Sequence, residues 1–148
     1  LKLGGFMPTL TLFIEDLFQN ELGMACFQVY ESIALSSHNY NDIAISGSKL
    51  LNCNFTNIVF QNCTFWSSSI RNCTFTNCNF INCKFQFTEF TDCNFEASSF
   101  ENCIWGLTKL QGNETFSNSN IKDNFAFESN LPSTGTRTLN LYEILICA

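Results

Sequence analysis

The chain has 148 residues, enough for one ordinary domain, and 45% of them are hydrophobic, which supports a packed core and excludes wholesale disorder. Charged residues are only 14% and the formal net charge is −6, which excludes a basic domain binding nucleic acid directly through many Lys/Arg–phosphate contacts. No apolar run approaches the ~18 residues of a membrane-spanning helix, so no membrane span is expected.

The stretch Lys2-Leu3-Gly4-Gly5-Phe6-Met7-Pro8 lacks the apolar region and small-residue cleavage site of a signal peptide. With Leu1 in place of an initiator Met, the chain reads as a processed product or a fragment. From Pro8 to Leu22 apolar residues recur at helical spacing, with Pro8 near the start, Glu15 and Asp16 within, and Gly23 as a stop. A short capping helix is expected there.

Beyond it the dominant signal has a period of five. Every fifth residue from Leu50 to Leu110 is large and apolar, and nine of these thirteen are Phe. Twelve of the thirteen residues two positions earlier are small: only Ile58 interrupts a series of Ser, Thr and Cys. The same phase runs backwards through Ile45, Tyr40, Leu35 and Tyr30. Forwards it slips by one residue at Gln111-Gly112 and resumes at Phe116, Ile121, Ala126 and Leu131. Residues 131–136, with Pro132 and Gly135, read as a loop. From Leu139 to Ala148 a second short helix is expected, with Leu141, Ile144, Leu145 and Ala148 on one face; Leu139-Asn140-Leu141 also alternates as a strand would.

Neither a helix nor a plain strand has a period of five. A chain that turns a corner every five residues does, and four corners close a square coil of twenty. Stacked coils pair their backbones at ~4.8 Å, with the large residue inside and the small one between neighbouring walls. The residue two after each large one sits at a corner. From Asn52 to Asn102, seven of these eleven are Asn and one is Asp, which suits turns needing left-handed backbone. Stacked Asn side chains can also bond from coil to coil.

With its small residue, large centre and five-residue unit, plainest in Asn72-Cys73-Thr74-Phe75-Thr76-Asn77-Cys78-Asn79-Phe80, the sequence resembles the pentapeptide-repeat family. The resemblance implies an all-β solenoid, a right-handed quadrilateral parallel β-helix of about five coils, with a short N-terminal capping helix and a C-terminal cap. A single domain over 1–148 is expected: cap 1–25, coils 26–131 with the repeat plainest over 43–109, and cap 132–148.

Seven of the nine cysteines (Cys53, Cys63, Cys73, Cys78, Cys83, Cys93, Cys103) take the inward small position. Spacing by twenty stacks Cys53, Cys73 and Cys93 on one wall and Cys63, Cys83 and Cys103 on the opposite one. Stacked neighbours at ~4.8 Å are near enough for a disulfide, but their side chains point in parallel directions. Buried free thiols are expected, which favours the cytoplasm or another reducing compartment over an organelle lumen or the exterior. Their spacings are those of the repeat and no His joins them, so no metal is expected.

His38 is the sole histidine and falls at an inward position, which leaves no catalytic His pairing to assemble. Glu89, Asp92, Glu96 and Glu101 fall on different corners or walls, as solvated carboxylates do. No phosphate-cradling glycine loop occurs. Neither catalytic residues nor cofactor are expected, and the chain reads as a non-enzymatic scaffold whose partner is another protein. Four Asn-X-Ser/Thr sequons, at Asn54, Asn62, Asn72 and Asn113, match what an Asn- and Thr-rich chain supplies by chance.

Some members of the family imitate duplex DNA and engage DNA gyrase, and this quinolone-resistance type is the alternative reading. From Tyr40 to Leu110 the acids are Asp42, Glu89, Asp92, Glu96 and Glu101 and the bases Lys49, Arg71, Lys84 and Lys109, five against four. DNA carries a charge every ~1.7 Å, so charge argues against mimicry. The outward positions are nearly all polar, with exceptions at Val59, Trp66, Ile81, Phe87 and Leu107. The twenty-residue coil stacks Phe87 and Leu107 above Ser67, beside Trp66, so these three are expected to form a docking or self-association edge. Self-association through the caps is a further route. The alternative is that terminal segments fold back and cover the edge.

Overall fold

The computed structural model describes residues 24–132 and 134–147. Their backbone winds through four stacks of short parallel strands, one seven-stranded sheet and three five-stranded sheets, which form the four walls of a solenoid of about five coils. The first sheet runs from Met24–Cys26 through Thr64–Trp66 and Ile104–Gly106 to Thr136–Thr138. The other three contain Ser69–Arg71, Thr74–Thr76 and Asn79–Ile81.

From Val29 to Thr108 the pentapeptides are built the same way. Three residues form a strand with the middle one buried, a corner residue takes positive φ, and the inward small residue follows. The corners from Asn52 to Leu107 lie between φ 50 and 56 without exception, which is why Asn is so frequent there. Each corner N–H donates to a carbonyl of the coil above, as Asn52 does to Arg71 (2.9–3.0 Å is typical of the series; this one is 3.0 Å).

The small residue closes the remaining backbone account. At several positions its own N–H donates to the side chain of the small residue one coil up: Ser48 to Ser68 Oγ (3.3 Å), Cys78 to Ser98 Oγ (3.1 Å), Cys53 to Cys73 Sγ (3.4 Å). The side chain in turn donates to carbonyls, as Thr88 Oγ1 does to Phe65 and Gln86 (3.1 Å each). Ser, Thr and Cys fit because each combines small volume with both hydrogen-bonding capacities.

The centre is filled by stacked rings. Phe60, Phe80 and Phe100 lie at 4.8 and 4.5 Å between successive centroids, and Phe55, Phe75 and Phe95 at 5.0 Å each. Tyr30, Leu35, Tyr40 and Ile45 are buried in the same core, so the backward extension of the repeat holds. So does the slip: pairing at intervals of twenty becomes Phe95 with Phe116 and Phe100 with Ile121, one residue longer. Gly112 (φ +75) absorbs it, since a Cβ there would clash with the Asp92 carboxylate.

The ends differ in detail from expectation. The helix expected from Pro8 to Leu22 lies outside the described residues. The first strand begins at Met24, inside the expected cap, because it pairs with Ala44–Ser46. Thr136–Thr138 adds a last strand to the first sheet, within the expected C-terminal cap. The helix α1 (Leu141–Cys147) follows. Asn140 and Glu143 cap it reciprocally: Glu143 N–H donates to Asn140 Oδ1 (2.8 Å) and Asn140 N–H to Glu143 Oε1 (3.1 Å). The strand alternative for Leu139 to Leu141 gives way to this cap, with Leu139 buried.

Candidate protein-contact edge

The four corner columns differ in chemistry. Three of them carry Asn in successive coils, joined by amide ladders: Asn72 to Asn52 (2.8 Å), Asn77 to Asn57 (2.6 Å) and Asn102 to Asn82 (2.7 Å). The fourth, between the first and second sheets, carries Phe27, Gly47, Ser67, Phe87, Leu107 and, past the slip, Glu128, with no Asn. Phe87 (φ 52) and Leu107 (φ 51) therefore hold bulky apolar side chains in a left-handed conformation that the other columns give to Asn. Such a conformation costs about 1–2 kcal/mol for an ordinary residue.

Trp66, Phe87 and Leu107 are 43%, 49% and 43% exposed. The Trp66 indole meets the Phe87 ring edge-on, with centroids 5.1 Å apart and planes at 67°. The other outward apolar residues, Val59 and Ile81, lie on the fourth sheet and are only half-buried there. Sequence reasoning missed two members of the edge. Phe27, 82% exposed, lies with its ring over Gly47, where a Cβ would come within 2.6 Å of it. Both fall on the twenty-residue spacing of Phe87, which was the available signal.

The helix α1 flanks the edge without covering it. Ile144 packs over Gly106, whose missing side chain leaves room; a Cβ there would sit 3.8 Å from Ile144 Cδ1. Between them runs an apolar groove of about 180 Å³ bordered by Phe87, Leu107, Phe127, Leu141 and Leu145. Leu141, Tyr142, Leu145 and Ile146 remain exposed on the helix, so among the described residues of its expected apolar face Ile144 alone is buried. Arg137 steadies this cap, donating to Glu143 (3.0 Å) and lying 5.4 Å from the Phe125 ring centre.

The other residues weighed from sequence do not assemble into a site. Glu89, Glu96 and Glu101 lie on three different sheets and Asp92 at a corner. His38 is half-buried beside Tyr40, ring centroids 6.0 Å apart. The seven repeat cysteines are buried and free. Burial pushes the Cys78 thiol up to about 11 and Cys93 to about 12, while hydrogen bonds with neighbouring thiols, and burial after them, raise Cys63, Cys73 and Cys83 further. Among the described residues no group of three or more His, Cys, Asp or Glu is arranged to hold a metal ion. Nor is any described helix long and apolar enough to cross a membrane.

A solenoid of four parallel walls, with a five-residue unit centred on Phe, defines the class. The family model for pentapeptide repeats matches residues 42–77, 59–96 and 78–104, so this stretch of the solenoid consists of pentapeptide repeats. No curated protein matches it in sequence. Among solved structures, the pentapeptide repeat protein Rfr23 from the cyanobacterium Cyanothece 51142 is similar at 10% identity and TM-score 0.43, over 86% of this chain and 99% of that one. A pentapeptide repeat protein from the Arabidopsis thaliana thylakoid lumen is similar at 14% identity and TM-score 0.30, over 74% of each chain. QnrB1, a plasmid-mediated fluoroquinolone resistance protein, is similar at 11% identity and TM-score 0.24, over 84% of this chain and 94% of that one.

Proposed function

We propose that the protein is a non-enzymatic scaffold whose rigid solenoid presents one apolar edge, centred on Trp66, Phe87 and Leu107, to a protein partner. The observation that carries this reading is the corner chemistry. Three columns use Asn, which tolerates the left-handed backbone, while the fourth places Phe87 and Leu107 in that conformation, half-exposed to water. Stability alone favours a polar residue at both positions, so the apolar choice points to a contact. A protein surface is the partner that buries an indole, a phenyl ring and a leucine together; the sparse, balanced charges do not suit a nucleic-acid mimic.

A photo-crosslinking residue placed at position 87 of the full chain tests this in the source cells, with position 54 on another wall as the control. Protein adducts are expected at 87, lost when Trp66→Ser is added, and absent at 54. Equal labelling at both positions, or adducts insensitive to Trp66→Ser, would refute the reading.

A further inference from the structure

Resting on that reading, we infer that the edge is a self-complementary surface on which a second copy of this chain docks antiparallel. The inference comes from how knobs, flat places and charges are distributed along the corner. Taking the level of Ser67 as centre, Phe27 lies two coils below and Leu107 two coils above, about 10 Å each way at ~4.8 Å per coil. Gly47 lies one coil below and Phe87 one above. The lower half is flat, because the Phe27 ring lies on Gly47. In the upper half Phe87 and Leu107 stand up and border the groove beside α1.

A two-fold axis across the edge at the level of Ser67, perpendicular to the solenoid, sets the raised half of each copy against the flat half of the other. It brings Trp66 beside Trp66 of the partner subunit, Phe87 over the Phe27–Gly47 platform of the partner subunit, and Phe27 towards the partner's groove. Contacts of this kind are isologous, so every one is made twice.

Two of the charges beside the edge share the same centre. On the second sheet, Val29, Lys49, Ser69, Glu89 and Lys109 are stacked in register in successive coils, with Ser69 central and Lys49 and Glu89 one coil to either side of it. Both Lys49 and Glu89 are exposed, and the sole ion pair among the described residues is Arg137–Glu143. The antiparallel axis keeps second sheet beside second sheet and reverses the order of coils. Lys49 then faces Glu89 of the partner subunit, and Glu89 faces Lys49 of the partner subunit. A parallel pairing would instead stack Phe87 level with Phe87 and set the second sheet of one copy beside the first sheet of the other. The parallel pairing also sets Glu89 level with Lys84 of the partner subunit, so what distinguishes the antiparallel register is that it engages Lys49 as well and sets the raised half of each copy against the flat half of the other.

Analytical ultracentrifugation of the full chain over a concentration series tests this. The expected result is a monomer–dimer equilibrium that Trp66→Ser with Phe87→Ser shifts to monomer while the melting temperature stays nearly unchanged. Lys49→Glu alone, or Glu89→Lys alone, is expected to weaken the dimer about tenfold, since each places like charges together twice. The double variant Lys49→Glu/Glu89→Lys is expected to restore it. A chain that stays monomeric at all concentrations overturns the dimer while leaving the crosslinking result, and the scaffold reading, standing on their own. A dimer indifferent to the edge variants, or one that the double charge swap fails to restore, overturns the antiparallel register.

Discussion

The indole N–H of Trp105 donates to Asn124 Oδ1 at 3.1 Å, and both residues are buried. Trp105 is the indole of the core, and its stacking on Phe85 at 4.2 Å leaves that N–H facing the final coil. Asn124 there replaces the usual Ser, Thr or Cys and meets several needs at once. Its Oδ1 also accepts from Cys103 N–H (3.3 Å), while its Nδ2 donates to the carbonyls of Phe100 (2.7 Å) and Lys122 (3.0 Å).

Asn124→Leu removes the partners of two buried donors in a site of matching size. A loss of about 2–4 kcal/mol is expected in denaturant melts, at about 1–3 kcal/mol for each donor left unsatisfied, partly offset by added apolar burial. Introducing Trp105→Phe as well is expected to recover part of that loss. If the two substitutions proved additive, the indole–amide bond would not be the reason for Asn124.

Two phenylalanines in the same repeat are expected to behave in opposite ways. Phe80 is stacked between Phe60 and Phe100 in mid-core, and its replacement by Ala is expected to cost about 3–5 kcal/mol. The neighbouring outward substitution Asn79→Ala is expected to cost less than about 1 kcal/mol, although Asn79 accepts from Ser99 Oγ (2.7 Å). Phe87→Asn is expected to stay within about 1 kcal/mol of wild type, because relief of left-handed strain offsets the lost ring contact with Trp66. Thermal melts ranking Phe87 with Phe80 would place Phe87 in the core and remove the edge.

The repeat thiols are expected to resist alkylation in the folded chain and to react on denaturation without a reductant. Burial excludes the reagent from all seven, including Cys53, whose thiol is lowered by the adjacent Cys73. At Cys78 and Cys93 burial disfavours the thiolate as well. Mass spectrometry that recovered Cys53–Cys73 or Cys83–Cys103 disulfides from freshly isolated protein would contradict this.

Acid is expected to loosen α1 before it affects the coils. The Asn140 N–H and Arg137 hold the Glu143 carboxyl below its ordinary value, so the cap contributes stability above that value and loses it as pH falls through the lowered one. The methyl resonances of Ile144 are expected to be constant at neutral pH and to shift on acidification below about 4.5, the ordinary glutamate value. In Glu143→Gln that shift should vanish. Its persistence in the variant would assign the acid sensitivity to another group.

The sequence by itself determined the coil, because a period of five is a local backbone rule repeated without interruption. A strand, a left-handed corner and a hydrogen-bonding small residue each declare themselves in residue type: Phe80 at the centre, Asn82 at the corner, Cys78 between. Even the slip at Gly112 was legible as a change of phase. The stacking of Phe87 on Leu107 followed from arithmetic, since both lie on one twenty-residue column. What only the tertiary structure decided depends on side chains meeting across coils at irregular positions. Asn124 is an ordinary small-position substitute until Trp105 turns its N–H towards it. The seat of α1 over Gly106 rests on a void in one wall, thirty-eight residues before Ile144 in the chain. Periodicity carries no information about such a void, because the helix that fills it lies outside the repeat. The ring of Phe27 on Gly47 is a contact of the same kind, fixed by which side chain is absent one coil away.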